Sequence, residues 1–117
     1  ASLAGNGPGS SHGKISFDPK HEDQRVGLLL SQGVVYIAWG SYCDNPPYYG
    51  WLMGYQASTL RQTSVYSPEQ NTGQGGIWQS GSGLAADNAG NIYLISGEGD
   101  FNLNTGGSEA GDSVLKL

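Results

Sequence analysis

Side chains whose types and spacing could do chemistry fall in three parts of this 117-residue sequence. Asp44, Tyr48, Tyr49 and Trp51 surround the pair Pro46-Pro47. Aromatic rings beside a carboxylate suit a sugar: a ring stacks on the apolar face of a pyranose while the acid accepts hydroxyl hydrogen bonds. These four are the candidate ligand-binding residues; the alternative is that Trp51 and one tyrosine pack a sheet. The second place is the loop from Glu98 to Gly107, where oxygen-bearing side chains alternate as Asp100, Asn102 and Asn104, with Glu98 or Asp112 nearby. Calcium takes about 6–8 oxygen ligands, so these three are the candidate metal ligands. Thr105 sits where an EF-hand needs Gly, and no glutamate closes the loop. The alternative is a polar surface loop whose asparagines cap turns.

The third place offers less. His12, His21 and Cys43 are soft donors without a ligand spacing, which reads as solvated loop histidines. Ser80 and Ser82 lie in a Gly-rich turn, but their flanks do not form a nucleophile elbow and the turn leads into a strand rather than a helix. Glu22-Asp23 could serve acid–base chemistry, yet nothing in the sequence places the pair in a cleft. Phosphate-loop and dinucleotide glycine motifs are absent from the sequence. Trp78 reads as a packing residue between sheets.

Strands must position these groups. Val34–Trp39 is rich in β-branched and aromatic residues and stops at Gly40, and Gly27–Leu30 precedes it across Ser31-Gln32-Gly33. Together they read as a hairpin. Trp51–Tyr55 and Gln62–Tyr66 follow as two more strands, separated by a Pro-containing loop and a turn. The order then restarts with Gly83–Ala86, the turn Asp87-Asn88-Ala89-Gly90, Asn91–Ile95, a polar loop over 98–111, and Ser113–Leu117. Laying Gly33 over Gly90, 57 residues on, superposes Val35 on Ile92, Tyr36 on Tyr93, Ile37 on Leu94 and Gly40 on Gly97. Repetition on this scale predicts a propeller or array built from small sheets. The alternative is a β-sandwich with two similar hairpins. Residues 1–13 have loop composition, and Ile15–Phe17 is a short strand stopped by Asp18-Pro19.

Composition agrees. Gly is 20 of 117 residues and charged residues are 13%, which disfavours helical bundles and charge-rich disorder. A net charge of −5 with five Lys and Arg argues against nucleic acid as a partner. The longest apolar run, Val34–Trp39, is far short of the roughly 20 residues of a membrane span. Cys43 is the single cysteine and forms no internal disulfide. No signal-like stretch opens the chain, and Ala1 in place of Met hints at processing or excision.

Several stretches resemble the quinoprotein-type (PQQ-repeat-like) β-propeller proteins, mostly bacterial and secreted. They are Gly27-Leu-Leu-Leu30, Gly33-Val-Val-Tyr-Ile-Ala38, Gly50-Trp-Leu-Met-Gly-Tyr55 with Ser58-Thr-Leu60, Gly76-Ile-Trp-Gln-Ser-Gly-Ser-Gly-Leu-Ala-Ala-Asp87, Gly90-Asn-Ile-Tyr93 and Gly111-Asp-Ser-Val-Leu-Lys-Leu117. The resemblance implies an extracellular or periplasmic place. It also implies a quinone cofactor, pyrroloquinoline quinone (PQQ), held with calcium by residues from several blades. Fewer than two blades are legible here, so no complete cofactor site maps onto the chain. The family's docking signature is degenerate at Ala57–Tyr66, and Tyr42 and Tyr49 stand where relatives often carry histidines.

The expectation is therefore an all-β chain of antiparallel, four-stranded β-propeller blades, one complete and one incomplete. Residues 1–26 are a loop or linker, 27–75 the first blade and 76–117 the second. An uncovered blade face on the order of 400 Å² would forgo about 10 kcal/mol of burial, comparable to a domain's whole stability. The chain should then be a fragment, or a subunit whose remaining blades or further copies complete a ring. Its expected role is a binding or scaffold module for carbohydrate or a protein partner. The alternatives are part of a PQQ-dependent oxidoreductase and a small β-sandwich lectin.

Overall fold

A computed structural model describes residues 1–79 and 81–117, so Ser80 lies outside the described residues. The strands are β1 (Ser2–Ala4), β2 (Lys14–Ser16), β3 (Leu29–Ser31), β4 (Val34–Trp39), β5 (Trp51–Gln56), β6 (Gln62–Tyr66), β7 (Ala85–Ala86), β8 (Ile92–Ile95) and β9 (Val114–Lys116). They form antiparallel sheets ordered β1-β2, β3-β4-β5-β6 and β7-β8-β9. The all-β expectation holds, and the repeated hairpin is real in the sense that β3-β4-β5 and β7-β8-β9 run in the same order.

Local chemistry explains the turns. Gln32 and Gly33 both have positive φ (47° and 77°), the type I′ geometry whose twist matches that of the flanking strands. At the equivalent turn the Asp87 carboxylate accepts from the Ala89 and Asn91 amides at 3.0 and 2.9 Å and from the Tyr93 hydroxyl at 2.9 Å. These bonds hold Asp87 well below the usual carboxylate range, led by its side-chain bond to Asn91.

Alternation splits the four-stranded sheet into two faces. Tyr36, Ala38, Leu52 and Tyr66 point to one side and pack with Ile92, Leu94 and Leu115 of the second sheet, sealed by Val26, Ile77, Leu84 and Ala110 from the connections. Trp39, Trp51, Met53 and Tyr55 point to the other side, where Leu3, Ile15 and Phe17 cover them. Under the Gly33–Gly90 correspondence, Ile92 and Leu94 match Val35 and Ile37, which lie on the opposite face of β4 from Tyr36 and Ala38. Under that correspondence, unlike faces of the two sheets meet in the core.

The N-terminal stretch holds two strands, one overlapping the short strand read at Ile15–Phe17. Ser2–Ala4 pairs with Lys14–Ser16, and Ile15 is completely buried. β1 carries a single large apolar residue, Leu3, too little for a readable alternation. Contact with Trp51 and Met53 holds both strands in place.

Ser96 ties the end of β8 to the following loop. It is 2% exposed; its hydroxyl donates to the Ala110 carbonyl at 2.5 Å and accepts from the Ser113 amide at 3.0 Å. Ser96→Ala leaves both backbone groups without that partner and is expected to cost about 1–2 kcal/mol. Urea denaturation followed by Trp fluorescence measures it, and an unchanged midpoint would refute the account.

Candidate functional site

Because the sheets are meanders, connections 40–50, 67–84 and 96–113 and the segment entering β3 all gather at one end of the molecule. Backbone bonds knit them together. Asp23 and Gly40 exchange bonds of 2.9 and 3.2 Å, Gly97 donates to the Gly76 carbonyl at 2.8 Å, and Gly75 donates to the Glu98 carbonyl at 2.7 Å.

At this end Arg25, Ser41, Cys43, Asp44, Trp78, Gly97 and Glu98 line an open cleft of about 440 Å³. Its wall carries backbone strain: Cys43 and Asp44, neither a glycine, lie consecutively at positive φ (58° and 50°). Asp44 accepts the Tyr48 hydroxyl at 2.5 Å. Burial and then this bond push the Tyr48 hydroxyl far above its usual range. Glu98 is raised chiefly by the charge of neighbouring Asp44, and its carboxylate accepts from the Gln74 amide at 2.8 Å. The Ser41 hydroxyl is buried and makes no hydrogen bond to the described residues. Arg25 lines the same cleft and lies 4.0 Å from the Asp23 carboxylate. The lining thus includes an arginine and two carboxylates, suited to polar and charged groups.

The structure buries three of the four residues that the sequence grouped for sugar stacking. Trp51, Tyr48 and Tyr49 are 0, 1 and 5% exposed. Tyr49 meets Trp51 edge to face at 6.3 Å, Tyr48 meets Trp78 at 5.9 Å, and Phe17 meets Trp51 at 6.0 Å. The Tyr49 hydroxyl donates to the Pro8 carbonyl at 2.7 Å, and its pKa is pushed up to about 12, first by burial and then by the charges of Glu22 and Glu109. Their rings lie in the interior rather than at the surface of the chain. Asp44 alone of the four is exposed.

The proposed calcium ligands are also differently engaged. Asn102 precedes a short 3₁₀ turn, Leu103–Thr105, and its side-chain oxygen accepts from the Glu109 amide at 2.9 Å. That bond turns Asn102 into the loop's own brace, while Asp100 and Asn104 are exposed. Among the described residues no three or more His, Cys, Asp or Glu side chains come together as a metal-binding group.

Sequence reasoning missed a buried acidic pair, Glu69 and Glu109, 0 and 2% exposed. Glu109 accepts from the Ser108 hydroxyl (2.7 Å), the Asn71 side-chain amide (2.8 Å), the Asn71 backbone amide (3.1 Å) and the Thr72 hydroxyl (3.0 Å). The same Thr72 hydroxyl also touches the Glu69 carboxyl. One hydroxyl has one proton to give. The consistent arrangement is a protonated Glu69 donating to Thr72, which donates to an ionised Glu109. Burial is the main cause holding Glu69 up, to about 7. Burial also works against Glu109, but its donors outweigh that and lower it. The two are 40 positions apart in polar loops, and no spacing signal links them.

No family model matches the chain, and no curated protein or solved structure matches it.

Proposed function

We propose that the chain is a sector of a β-propeller-like layered protein and serves as a binding or scaffold module, with its recognition surface at the loop end. One observation supports this most: repeat-related sheets pack through unlike faces and send their long connections to the same end, where these enclose the cleft of Arg25, Ser41, Asp44 and Glu98. Stacking units supply a rigid frame, and loops on such a frame carry recognition. The charges of the cleft favour a protein partner presenting polar and charged side chains. Carbohydrate is the weaker expectation, because the Tyr48, Tyr49 and Trp51 rings are internal. The quinone-dependent alternative rests on sequence resemblance alone.

Peptide and glycan arrays probed with the whole chain test this. The expected result is a set of peptide hits lost in Asp44→Ala/Glu98→Ala and retained in Thr59→Lys, which lies in the β5–β6 turn at the opposite end. Absence of hits, or hits indifferent to Asp44 and Glu98, would overturn the binding role. Dye reduction in the presence of PQQ and Ca²⁺ would replace it with an oxidoreductase.

A further inference from the structure

The contact between the two larger sheets has two unlike halves, and both halves recur uncovered on the chain's own surface. The first half is the Tyr36–Ala38 face of β4. Its counterpart on the second sheet is the Tyr93–Ile95 face, joined by Val114, which is in register with Ile95 across β8 and β9. Among the described residues it stays largely open: Ile95 is 53% exposed and Val114 78%. The second half is the Ile92–Leu94 face of β8, whose counterpart is the Val35–Ile37 face of β4. The β1–β2 hairpin shields the outer part of that face but leaves the β3 side bare, with Leu28 63% and Leu30 67% exposed. Leu30 is in register with Val35, so this apolar strip continues the face that the repeat would stack.

We infer that the chain binds a second copy of itself head to tail, the Ile95–Val114 face of one copy seating on the Leu28–Leu30 strip of the next. The partner follows from the molecule's own interior. The same two kinds of face already form its core, and a chain that exposes one of each is complementary to itself. Such a heterologous contact extends into a ring or a filament depending on its rotation. This inference rests on the layered reading above but concerns the sheet faces, not the loop end.

Sedimentation and light scattering across a wide concentration range test it. The unmodified chain should self-associate with increasing concentration. Val114→Asp and Leu30→Asp each bury an unpaired charge in the contact and should weaken association by about a hundredfold or more. Mixing the two variants should restore a one-to-one pair and nothing larger, because each supplies the face that the other lacks. Both sites are exposed, so unchanged thermal melting will confirm that the variants fold. A wild type that stays monomeric at every concentration overturns the inference. So does a single variant that still associates alone, the mark of like faces meeting, or a mixture that fails to pair. Peptide binding at the cleft, scored separately, reports on the loop-end reading whatever the association state.

Discussion

Stability is expected to fall as pH is raised from about 5 to about 8, the reverse of the usual behaviour of a carboxylate-bearing protein. The cause is Glu69. In the unfolded chain it ionises near 4.5, and in the fold its proton is held to about 7, foremost by burial. Between those values the unfolded chain releases the proton while the folded chain keeps it, so each step up in pH favours unfolding. The advantage of the neutral buried acid is complete below the unfolded value and gone above the folded one. The difference corresponds to about 3 kcal/mol. Glu22, 4% exposed and also raised chiefly by burial, adds to the same slope. Glu109 acts in the opposite sense: its lowered value contributes stability present above the unfolded value and lost as pH falls below it. Stability should therefore peak at mildly acidic pH.

Urea titrations at a series of pH values check this. Glu69→Gln keeps the shape and gives Thr72 a permanent donor in place of the protonated acid. It should flatten the slope and leave the variant more stable than wild type by about 2 kcal/mol on the alkaline side, with little difference near pH 5. Glu109→Gln should instead destabilise at every neutral or higher pH, because the Asn71, Ser108 and Thr72 donors lose their carboxylate. A wild-type midpoint that is flat or rises between about pH 5 and 8 would remove Glu69 as the controlling group.

The acidic pair also shows where a sequence stops being readable. Val34–Trp39 and Gln62–Tyr66 were legible to the residue, since β-branched and aromatic runs ended by glycine and turn residues carry their own boundaries. The stacking of Ile92 and Leu94 against Ala38 was legible only as a repeat, because periodicity reports which residues are equivalent but not which faces meet. Tyr48, Tyr49 and Trp51 looked available for stacking because they flank a Pro-Pro loop. Tyr49 and Trp51 are covered by Phe17, Ile15 and the Pro8 carbonyl, more than 30 residues upstream, and Tyr48 packs on Trp78, 30 residues downstream. For the same reason Asp44 and Glu98 could be named singly, while their neighbourhood across the cleft depends on two loops meeting. Local propensity fixes strands; a site joining separate loops needs the tertiary fold.

Gly97→Ala is expected to cost about 3 kcal/mol, and most of that cost should vanish when Trp78 is removed. Trp78 is wedged between the exits of β4 and β8, the repeat-equivalent positions Gly40 and Gly97. A Cβ at Gly40 would lie 2.6 Å from its ring, one at Gly76 2.7 Å and one at Gly97 2.4 Å. Gly97 has no positive φ, so the glycine is required by space rather than by backbone conformation. Nor can the ring side give way freely, since Tyr48 abuts it edge to face at 5.9 Å and the Gly97 amide is bonded to the Gly76 carbonyl at 2.8 Å. Trp78→Ala alone should cost about 3 kcal/mol through lost packing. If the clash is the cause, Gly97→Ala/Trp78→Ala should sit near the single Trp variant, with a coupling of about 2 kcal/mol. Gly81→Ala is the control: it has positive φ but no atom within 4 Å, so it should show only the left-handed penalty of about 1 kcal/mol whether or not Trp78 is present. Additive losses for Gly97 and Trp78 would mean that the ring does not set the spacing of the two sheets at this end.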